Sequence, residues 1–428
     1  ALTDRAEVAW GDGGFASRGL HLTGADGESL RLEGVVPDSG AANLDFEALR
    51  VDVADLFRLP DEPRDYGGVL DAAGRLRGTA DSPRWDLDFE VTDPEVRGLE
   101  YGRLTGAWDY ADRRLSLDIG LHDNGTVLGR LDGYVLADLT LRDIENRWAT
   151  DPIHLTLRAD SLPMEPLELA FESLEDVSGF GRGLIEFTGD LDELHLDGAA
   201  TLSTAAATVP YLGVRFEDIE AALRFEGTQA RVESARLSSS AGGTVSVRGS
   251  VDTRDLTDLG FDLTLLASRL RPMERRMATF LLDGEGHLGG SYRSPELTGA
   301  FRISEGQVRA ERFVRIRQAV DLTDPAVGAL IDTTLVMERQ LFQRAQNPFM
   351  QNLRMDADFI VGPNFWLRSE AIEVELAGSL NVQMDRAQQA LTGFGMLNLT
   401  RGKYRYVSGS GADLASLYSR QLQICLLY

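Results

Sequence analysis

The segment Gly284–Gly289 is the part of the chain whose residue types and spacing come closest to a known chemical motif. It reads Gly-Glu-Gly-His-Leu-Gly and satisfies the spacing G-x-G-x-x-G, with which a strand–turn–helix unit binds the pyrophosphate of a dinucleotide. That chemistry needs a strand before the motif and a helix after it. Here a helix-like segment precedes it and the turn Ser294-Pro295 follows it. The pattern therefore predicts a glycine-rich strand with a bulge and no nucleotide cofactor.

Metal-binding and nucleophilic residues are sparse and scattered. The two closest of the five histidines, His122 and His154, are 32 residues apart, so no helical metal-binding pair exists. The acidic segment 252–258 lacks the glycine and the terminal glutamate of a calcium loop. Cys425 has no recognisable histidine or aspartate arrangement around it. These residues predict no metal site and no catalytic thiol, and the histidines are more typical of strand faces; they are His21, His122, His154, His195 and His287.

Two further patterns have a chemical and a plain structural interpretation. Residues 309–317 contain four arginines around Phe313 and Val314, which fits an exposed strand face better than contact with lipid head groups or a partner. A carbohydrate-active β-helix enzyme would need acidic residues clustered on one face of stacked turns, and no such constellation stands out. We therefore predict that the chain is not an enzyme.

Charge and cysteine content exclude several classes of protein. The 428 residues contain 43 Lys and Arg against 68 Asp and Glu, a formal net charge of -25. A chain this acidic repels phosphate backbones, so we expect no nucleic-acid partner. A single cysteine excludes an intrachain disulfide and a cysteine-based structural zinc site. The chain begins at Ala1 and no uncharged apolar run reaches the ~18 residues of a membrane span, which suggests a piece of a larger protein with any anchor upstream.

Alternation of apolar and polar residues with period two is the dominant signal. Side chains of a strand point alternately to opposite faces, so each alternating run predicts a strand with one apolar and one polar face. Turn signals such as Asp123-Asn124-Gly125 separate the runs. An apolar face must be covered by a second sheet, by helices or by a ligand. For any single position, core packing and a ligand-lined groove are equally good interpretations. The sampled apolar positions are Leu115, Leu117, Ile119, Val245, Val247, Phe301, Ile303, Ile372, Val374 and Leu376.

Helices are predicted in only a few places, and a long repeat links the strands. The helix candidates are 163–177, 272–282 and 412–422, too few for a doubly wound α/β fold. The pattern Leu-x-Gly-x-x-x-Ser-Pro occurs at 76–83 and 288–295, with a degenerate copy at 187–194. Its glycines stand at 78, 189 and 290, so the unit is about a hundred residues long.

These patterns predict a mainly β, elongated, repeat-built and curled β-sheet, an open taco-like or β-solenoid-like groove with a few short helices. We divide the chain into β-repeat segments 1–160 and 161–271, a late β segment 272–406, and an off-pattern tail 407–428.

Two late stretches carry a resemblance to a known family. Residues 365–382 resemble the late strand pair of the TamB family, and residues 391–406 resemble its following Arg-Gly-x-Tyr strand. This family is the inner-membrane component of the translocation and assembly module and belongs to the AsmA-like bridge-like lipid-transfer group. The positions that match the family motif are Gly378, Gly393, Arg401, Gly402 and Tyr404.

The resemblance implies a function that needs no catalytic residue. It implies a periplasmic segment, anchored in the inner membrane through a missing N-terminal part, whose apolar groove shields the acyl chains of phospholipid. Such a segment would carry phospholipid from the inner to the outer membrane, or assist outer-membrane protein assembly and secretion. The implied partner is an outer-membrane barrel of the TamA or BamA type. The alternative is a structural or adhesive β-solenoid with a closed core and no lipid.

The tail departs from the family pattern. Residues 407–428 follow the Arg-Gly-x-Tyr strand with Ser-Gly-Ser-Gly and then a leucine-rich, helix-like stretch. We interpret this as a frameshift or sequence break near Val407, which sequencing of the coding DNA would test.

Overall fold

The structure, a computed structural model, consists mainly of β-strands joined by tight turns. The prediction of a mainly β chain with a few short helices is confirmed. The chain divides into two compact units, and the predicted division into four segments stays a prediction. Unit 1 comprises 1–163, 181–201 and 224–229, and unit 2 comprises 164–180, 202–223 and 230–428. The structure describes residues 6–11, 14–24, 27–56, 66–96, 99–142, 152–171, 173–190, 193–210, 212–272, 278–309, 348–369, 372–388, 390–408 and 411–426.

Unit 1 is an antiparallel meander in which consecutive strands pair, apart from the two-residue β7, which pairs only with β6. Its elements are β1 (Glu7–Gly11), β2 (Gly14–Thr23), β3 (Ser29–Val36), β4 (Ala41–Asp52), α1 (Val53–Leu56), β5 (Tyr66–Thr79), β6 (Ser82–Val96), β7 (Leu99–Glu100), β8 (Arg103–Ala111), β9 (Arg114–Asp123), β10 (Thr126–Leu136) and β11 (Ile153–Pro163).

Four strands have residues in both units: β12 (Glu175–Gly189), β13 (Leu194–Val209), β14 (Val214–Gly227) and β15 (Gln229–Ser239). Unit 2 also contains α2 (Leu167–Ala170), β16 (Thr244–Asp252), β17 (Gly260–Leu270), β18 (Ala278–Ser291), β19 (Ser294–Arg309), α3 (Pro348–Asn352), β20 (Arg354–Arg368), β21 (Ile372–Asp385), β22 (Ala390–Ser408) and β23 (Gly411–Leu426).

One strand pair of unit 2 departs from the predicted meander. Strands β16 to β19 pair consecutively and antiparallel, as do β20 to β23. Between these two groups, β19 and β20 pair in parallel, from Glu296 with Arg354 to Arg309 with Arg368. A parallel pair needs a long connection instead of a tight turn, and 44 residues of sequence, 310–353, separate the two strands.

The predicted repeat corresponds to one hairpin geometry that occurs three times. Gly78, Gly189 and Gly290 have φ angles of +92°, +101° and +78°. At each of them an added Cβ would lie 2.2 Å from the carbonyl oxygen four residues later. Only glycine tolerates this combination of positive φ and close backbone approach. The three hairpins are β5–β6, β12–β13 and β18–β19, so the ~100-residue spacing is a structural repeat.

The helix predictions were largely wrong. In the candidate helix 163–177, only Leu167–Ala170 is helical, and residues 175–177 of the candidate already belong to β12. Of the candidate 272–282, residues 273–277 lie outside the described residues, and β18 begins at Ala278. The candidate 412–422 lies within β23, whose backbone pairs with β22 from Ser408–Gly411 to Gly393–Leu426. Strand pairing here overrides helix propensity, which is a weak local preference.

Candidate functional site

Unit 1 carries one continuous apolar face across seven strands. Cross-strand neighbours place the apolar residues of β4, β5, β6, β8, β9, β10 and β11 in rows, because residues opposite each other in a ladder share a face. Two of the rows contain the predicted positions Leu115 and Leu117, and the third contains Ile119. The rows are Leu44–Leu76–Trp85–Tyr110–Leu115–Val135–Ile153, Phe46–Gly74–Leu87–Trp108–Leu117–Gly133–Leu155 and Ala48–Ala72–Phe89–Gly106–Ile119–Leu131–Leu157.

Much of this unit 1 apolar face is only half-buried. Leu115, Leu117 and Ile119 are all of intermediate exposure, and Trp108 is 39% exposed. The Phe89 ring lies edge-on to Trp108, with 5.7 Å between ring centroids. An exposed contiguous apolar surface of this kind is typical of a binding site for a greasy ligand or partner.

Glycines make room for the aromatic rings of this face. A Cβ added at Gly106 would lie 2.2 Å from the Phe89 ring, so that ring packs directly against the glycine backbone. Gly74 takes the Phe46 ring in the same way, at 2.3 Å. The glycines are therefore part of the apolar surface and not only turn residues.

The opposite face of the same strands is charged. One row there runs Glu47–Ala73–Asp88–Ala107–Asp118–Asp132–Thr156. Arg130 pairs with Asp118, and Arg158 pairs with Asp132 at 2.5 Å. These ion pairs are largely exposed and contribute little to stability, but they keep this face in water.

A short segment closes one end of the unit 1 apolar face. The hydroxyl of Tyr110 donates to the carbonyl oxygen of Ala137 at 3.1 Å and accepts from the amide of Leu139 at 2.9 Å. Further along, the amide of Leu141 donates to the carbonyl of Ala80 at 2.9 Å. Residues 137–142 thus pass from the β8–β9 turn to the β5–β6 turn. Tyr110 and Ala137, the first residue of the segment, are both buried.

An ion pair fixes the end of this segment. The guanidinium of Arg142 holds Asp81 in a two-pronged contact, with Nη2 2.7 Å from Oδ2. The hydrogen bond from Arg142 keeps the pKa of the Asp81 carboxyl below its usual range. Both side chains are exposed, so this contact orients the segment more than it stabilises the fold.

In unit 2 the corresponding apolar residues form a closed core. Phe301, Ile303, Val374 and Leu376 are all at least nine-tenths buried and belong to one cluster, against which Val245 and Ile372 pack. Val247 lies in the same face, opposite Leu265, at intermediate exposure. The Phe301 and Phe359 rings stack at 5.7 Å. All ten predicted apolar positions therefore lie on apolar faces, three in unit 1 and seven in unit 2; that they line a lipid groove stays a prediction.

One family-motif residue, Arg401, contacts a buried carboxylate in unit 2. Glu375 is 4% exposed and accepts from the Asn364 amide at 2.7 Å, from the Thr400 hydroxyl at 3.1 Å and from Arg401 Nε at 2.5 Å. The backbone bond from Asn364, followed by the bond from Arg401, lowers the pKa of Glu375. The Arg401 guanidinium also lies over the Trp366 ring, 5.4 Å from its centroid.

The other motif positions have backbone roles. An added Cβ at Gly402 would lie 2.6 Å from the Glu373 carbonyl oxygen, and one at Gly378 would lie 2.0 Å from that of Met396. Gly393 is buried in β22 opposite Val382. The backbone of Tyr404 pairs with Ile372. Alternation of residue types did not reveal the cluster of Glu375, Arg401 and Trp366, because all three lie on the polar face.

Most of the rejected motifs fall within the described residues, but residues 310–317 of the arginine-rich segment lie outside them, so its predicted exposed strand face stays a prediction. Gly284–Gly289 falls within β18, as the predicted strand requires. His122 contacts the Thr105 hydroxyl at 3.0 Å, and His287 and His195 stand near single carboxylates. Among the described residues no group of three or more His, Cys, Asp or Glu could hold a metal ion. The described residues also contain no helix that is long and apolar enough to cross a membrane.

Comparison with known proteins places this geometry in a family. A family model described as "TamB C-terminal domain" matches residues 233–424. The chain is also 21% identical, over 389 residues, to the "Translocation and assembly module subunit TamB" of Haemophilus influenzae; the match covers 87% of this chain and 28% of that relative. No solved structure matches. The match to the family model includes the buried core of unit 2, the Glu375–Arg401 pair and most of the tail. The resemblance is thus confirmed over residues 233–424, which match the model of the TamB C-terminal domain.

Proposed function

We propose that this chain is a segment of a translocation and assembly module subunit whose unit 1 apolar face shields the acyl chains of phospholipid. The name of its Haemophilus relative supports a role in the translocation and assembly module. The half-buried rows around Leu117 and Trp108 support the binding of lipid acyl chains. The relative is much longer than this chain, which spans 28% of its length. The proposed location is the periplasm, with an inner-membrane anchor elsewhere in the protein and an outer-membrane barrel of the TamA or BamA type as partner.

The energetics fit transport without catalysis. Burial of apolar surface is worth about 0.8 kcal/mol per CH₂, so one sixteen-carbon chain gains about 10 kcal/mol on a greasy surface. That gain offsets the free energy that the acyl chain loses when it leaves the bilayer, so a lipid could enter and leave at little net cost. The charged opposite face, with ion pairs such as Arg158–Asp132, would keep the segment in solution. We accordingly propose no enzymatic activity.

A closed scaffold without lipid is the second candidate function, and unit 2 is the region that favours it. Val374 and Phe301 are 4% and 9% exposed and contact other apolar side chains, as in an ordinary protein core. A scaffold in which every apolar face were covered this way would need no ligand. The half-exposed Trp108 is the observation that ranks lipid shielding above it.

The test is mass spectrometry of an organic extract of the whole chain, purified from a periplasm. The variant Leu115→Asn/Leu117→Asn makes the apolar face of β9 polar, and Ser116→Asn/Asp118→Asn is the matched control on its other face. We expect about one phospholipid per chain in the wild type and the control, and several-fold less in the variant. Far-ultraviolet circular dichroism checks that all three fold. A folded wild-type chain that carries no lipid would sink the proposal in favour of the scaffold.

A further inference from the structure

A cluster of basic side chains stands at one end of the unit 2 strands, on the polar face. Two cross-strand rows meet there, Gln307–Trp366–Glu375–Arg401 and Arg309–Arg368–Glu373–Lys403. Residues two apart on a strand share a face, so both rows lie side by side. We use the name strand-end patch for Arg271, Arg309, Arg368, Arg401 and Lys403.

The strand-end patch is a local exception to the charge of the chain. Its five cations stand against three carboxylates, Glu305, Glu373 and Glu375, whereas the whole chain has a formal net charge of -25. Glu375 is buried and already accepts hydrogen bonds from Arg401, from the Asn364 amide and from the Thr400 hydroxyl. Lys403 is the only lysine in the chain. A basic site in an acidic molecule attracts anions selectively.

A concavity gives this patch the form of a binding site. It measures about 560 Å³, and its walls include Arg271, Arg368, Gln307 and Trp366. The Arg368 guanidinium lies over the Trp366 ring at 5.6 Å, on which the Arg401 guanidinium also lies at 5.4 Å. Arg368 Nη1 also donates to Gln307 at 3.1 Å. Arg368 and Arg401 are thus held in place, Arg368 also by an exposed ion pair of its Nε with Glu373 at 3.3 Å. A guanidinium fork matches the oxygens of a phosphate.

Apolar residues lie on the other side of the same strand ends. Val308 and Leu367 are opposite each other in the ladder, as are Gly306 and Phe365, and Val308, Leu367 and Phe365 are half-buried. Strand β19 ends at Arg309 and β20 near Arg368, so among the described residues the patch and this apolar surface lie on opposite faces of the same strand ends. A molecule with a phosphate and an acyl chain could therefore contact both at once.

We propose that the strand-end patch binds the phosphate of a phospholipid head group while the acyl chain rests on the half-buried residues at the same strand ends. The proposal rests on the proposed function for phospholipid as the ligand, and its acyl-chain surface, formed by Val308, Phe365 and Leu367 of unit 2, is distinct from the unit 1 apolar face. The cations contacted first are Arg271 and Arg368, which line the concavity. Arg401 positions Trp366 and neutralises Glu375.

The test compares two probes with the same acyl chain, lysophosphatidylglycerol and monoacylglycerol, below their critical micelle concentrations at low salt. Calorimetric titration of the whole chain measures both, and inorganic phosphate is a third probe. The variant is Arg271→Gln/Arg368→Gln. The control Arg248→Gln/Arg302→Gln removes two exposed arginines from the polar face of the same unit, outside the patch.

We expect the wild type and the control to bind lysophosphatidylglycerol about tenfold or more tightly than monoacylglycerol, since each charge-assisted bond is worth that much. The variant should lose this preference and keep its affinity for monoacylglycerol. Equal binding of both probes by the wild type would overturn the phosphate site and leave lipid shielding intact. Inorganic phosphate binding that the variant abolishes, without binding of either amphiphile, would leave a site for free phosphate only and would overturn both the head-group proposal and lipid shielding. If no probe binds, both proposals are wrong.

Discussion

Unit 1 and unit 2 are built from the same alternating strands but differ in what covers their apolar faces. In unit 1, Leu117 and Trp108 are half-exposed. In unit 2, Phe301 and Val374 are buried among other apolar side chains. The period-two pattern is equally regular in both units. Alternation therefore fixes which residues share a face but not whether that face is a core or a surface for a ligand.

The prediction with the largest expected effect tests directly whether the apolar faces of the two units differ in burial. Val374→Asp places an unpaired carboxylate where the wild-type side chain is 4% exposed, and we expect it to destabilise unit 2 by about 4 kcal/mol or more. Leu117→Asp in half-buried surroundings should cost roughly 1–2 kcal/mol. Urea unfolding followed by circular dichroism measures both.

The two aspartates also serve as controls for each other, since both add one negative charge to an apolar face. Equal losses of stability in the two variants would mean that the unit 1 apolar face is as closed as the core of unit 2. In that case the lipid-shielding proposal would lose the observation that supports it.

The repeated hairpin is what the two units share, and it predicts an intermediate effect. Gly290→Ala forces a Cβ to within 2.2 Å of the Ser294 carbonyl oxygen at φ +78°, and Gly78→Ala does the same beside Ser82. We expect each to cost about 2–3 kcal/mol. Gly125→Ala is the matched control, because its φ is +81° with no atom within 4 Å of the added Cβ, and it should cost about 1 kcal/mol. Thermal unfolding gives all three values. Similar losses at Gly125 and Gly290 would show that φ alone, and not the close approach, defines the repeat.

The sequence was informative wherever a pattern is local. The strands, the ~100-residue repeat and the family motif could all be predicted, because alternation and glycine placement depend on neighbours along the chain. The tail shows the limit of that reasoning. Residues 412–426 are leucine-rich and suggested a helix, yet their even positions are mostly apolar, which is the strand signal that the prediction overlooked; they are Ala412, Leu414, Tyr418, Leu422, Ile424 and Leu426.

Non-local features could not be predicted. The parallel pairing of β19 with β20 depends on a crossover of more than forty residues, and alternation is the same in parallel and antiparallel ladders. The contact of Glu375 with Asn364 needs a backbone kink at Asn364, where φ is +73°. The frameshift near Val407 stays a prediction, and the strand geometry of β23 gives it no support.

The smallest expected effect concerns a charged side chain. Its dependence on pH compares a buried carboxylate of unit 2 with an exposed one of unit 1. Glu375 in unit 2 has a pKa lowered from its ordinary value of 4.5, chiefly by the Asn364 amide and then by Arg401. A carboxyl whose pKa is lower in the folded state stabilises the fold above its unfolded pKa and loses that contribution as pH falls through the folded pKa. Glu375→Gln should therefore cost about 1–2 kcal/mol near neutral pH, a modest figure because Arg401 is largely exposed. The cost should shrink as pH falls from about 4.5, the ordinary pKa at which the carboxyl of the unfolded chain takes up its proton, through the lower pKa of the folded state.

The matched control is Asp81→Asn in unit 1. Its pKa is also lowered, by the hydrogen bond from Arg142, but both partners are exposed, so we expect a change too small to measure by unfolding at any pH. Urea unfolding at a series of pH values from 7 to 3 follows both variants against the wild type. A cost of Glu375→Gln that stays constant down to pH 3 would mean that the side chain contributes through packing and not through its charge. The buried carboxylate would then be a feature of the closed core, and the pH dependence of unit 2 would have to come from other groups.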